Sequence, residues 1–206
     1  MRQVLYGFTI AAVFWFIMFS PWTKDSVNFW FIMLPAASIL IVYSLIIGRA
    51  SLPTIFKYEH KYILIGLAGA AVLYAIFYIG NYLSSLLFDF SEEQINSIYA
   101  IKGQANKFLI AFSLLFIVGP AEEIFWRGFA QHRLKEKYGE AKGLIIATAV
   151  YTLVHIWSFN FILVMAALIC GLFWGLMYIR YKSLVPVIIS HAVWDIAIFI
   201  IIPISV

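Results

Sequence analysis

Charge is what this sequence has least of. Only 12% of its 206 residues are Asp, Glu, Lys or Arg, against roughly 25% in an ordinary soluble domain. A soluble fold of this length cannot cover its surface with so few charges. Cysteine is nearly absent too: the single Cys170 excludes a disulfide framework and any cysteine-rich metal knot. No basic run is interleaved with polar residues, so the net charge of +4 points to no nucleic-acid partner. Repeats and low-complexity tracts are missing as well, which argues for one membrane domain over residues 1–206.

What fills the chain is apolar. Hydrophobic residues make up 64%, aromatic residues 18%, and the mean hydropathy is +0.96. The fold class that follows is all-α, a multi-pass transmembrane helical bundle. A helix crossing the bilayer needs about 20 apolar residues. Gln3–Thr23, Ser26–Gly48 and Tyr62–Phe88 meet this without a charge. Phe108–Ala121 is apolar and runs on into Glu122, Glu123 and Arg127. Gly143–Ile179 has His155 as its only ionisable group and is too long for one crossing; it must fold back, most naturally at Trp157-Ser158-Phe159-Asn160. Ser183–Val206 is the last segment and carries His191 and Asp195. About seven spans result.

Charge placement orients them. With the N-terminus cytoplasmic, the inner side holds Arg2, Arg49, Lys57, Lys61, Arg133, Lys135, Lys137, Lys142, Arg180 and Lys182, and the outer side only Lys24, Lys102 and Lys107. That asymmetry is the one the positive-inside rule requires. The expected location is a cell membrane of the prokaryotic plasma-membrane kind. The first segment is read as a span rather than a cleaved signal, because Phe19-Ser20-Pro21-Trp22 is too bulky for a cleavage site. Arg49–Lys61 is placed on the inner interface. Asp89–Lys107 is expected to hold a short outer helix starting near Ser91, with Glu92 and Glu93 in its first turn.

Seven of the ten acids fall in loops; Glu122, Glu123 and Asp195 do not, and neither do Arg127, His155 and His191. Each charge at mid-helix costs about 2.5–3.5 kcal/mol, so four approach about 10 kcal/mol. Such groups must face one another or a wet cavity. Glu123 and Arg127 are four residues apart and can pair on one helical face. Glu122 lies about 100° round the helix, so the two glutamates serve different tasks. His191 and Asp195 are four apart, as are Tyr151 and His155. Pro120 removes a backbone hydrogen bond just before the glutamates and can kink that helix.

This set suits water activation. A desolvated carboxylate can take a proton from water and later give it to a leaving amine, while imidazoles orient the water or stabilise an oxyanion. The same groups could hold a divalent metal, with Glu122, His155 and His191 as ligands. A Ser or Cys nucleophile is not credible, since Ser190 points away from its neighbour His191 and Cys170 has no base on its own helix.

Glu122-Glu123-Ile124-Phe125-Trp126-Arg127 reads as EExxxR, Tyr151–His155 as (F/Y)xxxH, and His191–Asp195 as HxxxD. In that order on successive spans, these motifs resemble the signature of the CAAX prenyl protease and bacteriocin-processing family of intramembrane glutamic endopeptidases. The resemblance covers about residues 108–200, the expected catalytic-core helices. It implies that Glu122 activates water with help from His155, that His191 and Asp195 stabilise the oxyanion, and that Glu123 and Arg127 support the site. It further implies a membrane-anchored protein or peptide substrate in the lipid bilayer, no nucleic acid, and no required cofactor. Tyr151 stands where the family has Phe, at a position expected mainly to pack. Asp195 stands for Asn; an ionised Asp cannot donate to an oxyanion, so it must be protonated or act by orienting His191.

Other readings stay open. Intramembrane Glu, His and Asp also build proton relays, as in an ion-coupled transporter subunit, although no inverted repeat accompanies them. A non-catalytic immunity or scaffold protein could share the fold. Ala167, Gly171 and Gly175 form a small-residue stripe for close helix packing. Trp22, Trp30, Trp157 and Trp174 are expected at interfaces or facing lipid, and His60 and His132 in solvated loops.

Overall fold

The computed structural model describes residues 1–204, in which every regular element is helical. Six helices are long and apolar enough to cross a membrane, and a shorter apolar one follows them. We label them α1 (Arg2–Phe19), α2 (Phe29–Gly48), α3 (Lys61–Leu87), α4 (the short Ser91–Ala100), α5 (Lys107–Tyr138), α6 (Glu140–Val154), α7 (Phe161–Tyr181) and α8 (Val185–Ile201). The multi-pass bundle read from the sequence is thus the fold. The last predicted span is shorter than expected, and its residues 205 and 206 lie outside the described range.

Polar side chains set the helix boundaries. Asn28 caps α2 by accepting from the Trp30 and Phe31 amides, and Asn160 caps α7 by accepting from Leu163 N at 2.8 Å. The fold-back comes where expected: α6 stops at Val154, Phe159 turns through a left-handed conformation (φ +49°), and α7 begins at Phe161. The short helix starting at Ser91 is also present, with Glu92 and Glu93 in its first turn.

The two ends of the bundle are knit separately. At one end Arg133 donates to Gln3 and to Ile47 O, Ser183 donates to Lys57 O, and Tyr43 donates to Gln3 O. Of these, Arg133 and Lys57 are residues that the charge pattern assigns to the inner side. At the other end α4 forms a roof. Asn160 Nδ2 donates to Gln94 O and Ser97 Oγ, Asn28 Nδ2 donates to Gln104 O, and Tyr99 donates to Ile198 O.

Helix α5 is not a regular α-helix. Two π-helical stretches, Leu114–Val118 and Ile124–Gln131, flank Pro120, whose missing N–H breaks the ladder there. This is the form the expected kink takes. Beside it, a Cβ on Gly119 would lie 3.2 Å from Ala192 Cα, a tight backbone contact that the glycine avoids where α8 crosses α5. The small-residue stripe on α7 does pack tightly, as expected: a Cβ on Gly171 would meet Thr148 Cγ2 of α6 at 2.8 Å.

Candidate active site

A cavity of about 520 Å³ lies beneath α4, walled mostly by apolar side chains of every long helix. Glu122, Tyr151, His155, His191 and Asp195 all line it. Their convergence follows from depth. Glu122 is 15 residues into α5, about 22 Å along it, and α6, rising from the opposite end, carries Tyr151 about 17 Å up to meet it. The close crossing at Gly119 then brings His191 and Asp195 in from α8.

The two glutamates part company, as their angular offset requires. Glu123 is fully buried, and its Oε1 accepts from Arg127 Nη1 at 2.8 Å and pairs with His191 Nδ1 at 2.7 Å. Arg127 also donates to Cys170 O and Gly171 O on α7. Glu123 and Arg127 therefore tie α5, α7 and α8 together behind the cavity. Glu122 instead faces the cavity, where its Oε2 accepts from the Tyr151 hydroxyl at 3.1 Å. Its Oε1 takes no protein hydrogen bond among the described residues.

Tyr151 does more than pack, which corrects the sequence-based expectation: the hydroxyl that distinguishes it from Phe is the group that holds Glu122. His155 also has unexpected partners. Its Nδ1 donates to Tyr151 O at 2.7 Å and its Nε2 accepts from the Trp15 indole N–H at 3.0 Å. An indole only donates and a carbonyl only accepts, so this imidazole is neutral and in a single tautomer. Trp15 comes from α1, far from every motif, and carries no sequence signal of this role. His191 Nε2 lies 3.5 Å from Asp195 Oδ2, and the Trp174 ring stacks on the imidazole at 3.8 Å. Trp174 and Trp30 are buried rather than facing lipid, while Trp22 is exposed as expected. His132 is partly buried against the Tyr178 hydroxyl instead of standing in solvent.

Among the described residues no three His, Cys, Asp or Glu side chains gather in a metal-holding group. The set Glu122, His155 and His191 does not fit one here, because both nitrogens of His155 are engaged and His191 Nδ1 is taken by Glu123.

Residues 104–197 match the family model described as Type II CAAX prenyl endopeptidase Rce1-like. The resemblance carried by the three motifs is therefore shown. The match takes in α5 to α8, a little under half of the chain, and includes every motif residue. A family of membrane endopeptidases brings with it a protein substrate and a membrane setting. No curated protein and no solved structure matches the chain. Helices α1 to α4, which supply Trp15 and the cavity roof, lie outside the matched segment.

Proposed function

We propose that this protein hydrolyses a peptide bond in a membrane-associated protein or peptide, using water activated by Glu122. The observation that carries this reading is a carboxylate on the wall of a large apolar cavity, with one oxygen held by Tyr151 and the other left without a protein partner. Water bound at Glu122 Oε1 gives that oxygen a proton as it attacks the scissile carbonyl. The tetrahedral oxyanion accepts a hydrogen bond from Nε2–H of a His191 imidazolium, whose Nδ1–H donates to Glu123. Asp195 steadies the Nε2 side of that ring from 3.5 Å. Glu122 then passes its proton to the leaving nitrogen, the C–N bond breaks, and a carboxylate and an amine result. His155 closes the water site as a neutral wall; it can accept from water only if Trp15 releases Nε2, which has a single lone pair.

The test is cleavage of a donor–quencher peptide by purified protein in liposomes, with and without chelator. Glu122→Gln should abolish cleavage and a chelator should leave the rate unchanged. Undiminished cleavage by the Glu122→Gln protein overturns the proposal, and loss of activity with chelator overturns its metal-free form.

A further inference from the structure

At the inner end of the bundle, two segments far apart in sequence are sewn together. Ser183 Oγ donates to Lys57 O at 2.6 Å, Leu184 N donates to Ile55 O at 2.7 Å, and the Tyr62 hydroxyl donates to Tyr181 O at 3.4 Å. These bonds set Lys57, in the loop before α3, and Lys61, at the start of α3, beside Arg180 and Lys182 at the end of α7. All four cations are exposed. Lys61 pairs with Glu59 at 2.6 Å and is repelled by the charge of Arg180. Lys57, Arg180 and Lys182 have no ion pair among the described residues. Glu140, which lies near Lys182, is itself paired with Lys135 at 2.8 Å.

Topology requires cations on the inner side, but it does not require them gathered at one corner. What lies beneath these is bare hydrocarbon. Arg180, Leu176 and Leu172 follow one another at four-residue steps down one face of α7, and Lys61 and Leu64 are three apart on one face of α3. All three leucines are exposed. Each helix therefore shows a cation at the membrane surface with apolar side chains below it, which is the complement of an amphiphile with an anionic head. We propose that this corner is a binding site for an anionic phospholipid. Its phosphate meets the Arg180 guanidinium and the Lys57 and Lys182 ammoniums, and its acyl chains run along the exposed leucines. The headgroup supplies the negative charge that the corner lacks. It also ties the start of α3 to the turn from which α8 carries His191 into the bundle.

The test is lipid titration of the detergent-purified protein by native mass spectrometry, which needs no cleavage. The probes are phosphatidylglycerol, phosphatidylcholine with the same acyl chains, and glycerol phosphate. Wild type should bind phosphatidylglycerol more tightly than phosphatidylcholine and glycerol phosphate only weakly. Lys57→Gln should weaken phosphatidylglycerol binding about 5-fold, the equivalent of about 1 kcal/mol, and Arg180→Gln with Lys182→Gln about 25-fold. Phosphatidylcholine binding and the thermal midpoint without anionic lipid should stay as in wild type. A control that removes two other inner cations, Arg2→Gln with Lys137→Gln, should change phosphatidylglycerol binding by no more than about 2-fold. Equal affinity for the two lipids, or equal weakening in both double variants, overturns the site. Glycerol phosphate binding as tightly as the lipid overturns the assignment to a membrane lipid.

Discussion

Removing the Glu123 carboxylate should cost this protein a large share of its stability. In Glu123→Ala, Arg127 keeps its carbonyl acceptors on Cys170 and Gly171 but loses its only anionic partner among the described residues, in a position where its side chain is 3% exposed. His191 Nδ1 loses its partner at the same time. Breaking a buried ion pair from one side costs about 3–5 kcal/mol, out of a total of about 5–15 kcal/mol for a typical protein. At roughly 2–4 °C per kcal/mol for a chain of this length, the midpoint should fall by about 6–20 °C. Replacing both partners, as in Glu123→Leu with Arg127→Met, removes the stranded charge and should be milder than Glu123→Ala alone. Thermal unfolding followed by tryptophan fluorescence in detergent reads all the variants. A Glu123→Ala midpoint within about 3 °C of wild type, or a double variant whose loss equals the sum of the singles, would refute the reasoning.

Three further outcomes are expected. Tyr151→Phe keeps the ring and removes the donor to Glu122, so turnover should fall several-fold while the midpoint moves by no more than the few degrees that about 1 kcal/mol brings. Trp15→Phe keeps the ring packing but frees His155 Nε2, so carbethoxylation of His155, mapped by mass spectrometry, should accelerate; an unchanged rate would deny the indole bond. Gly171→Val drives a side chain into Thr148 and should cost about 1–3 kcal/mol, with Thr148→Ala recovering part of that loss in the same unfolding assay.

Much of the site was legible because like-helix geometry is fixed by spacing. The Glu123–Arg127 pair, the opposed facing of Glu122 and the nearness of His191 to Asp195 all follow from steps of one or four residues. The fold-back near Asn160 followed from bilayer thickness and the short helix at Ser91 from its polar composition. Partners across helices were not legible. Every face of an apolar membrane helix is apolar, whether it meets protein or lipid, so nothing in the sequence separated the buried Trp174 from the exposed Leu176 on the same helix. For the same reason Trp15 could not be assigned to His155, and the Tyr151 hydroxyl acquired meaning only once α5 and α6 were set side by side.

The brevity of α6 bears on where the reaction gets its water. Its α-helical part is about 22 Å long, and the crossing comes near the length a bilayer needs only with the 3₁₀ turn Ile156–Ser158, 19 residues in all. Its outer end gives way to a turn that exposes Ile156, Trp157 and Phe159 to the surrounding lipid. A crossing with so little length to spare requires a thicker bilayer to thin around it. Hydrolysis consumes one water for each bond broken, and a thinned leaflet shortens the dry distance that each water must cross to Glu122. Under the proposed chemistry, acyl-chain length in the host membrane acts as a rate control on the enzyme, with thicker bilayers starving the site of its second substrate.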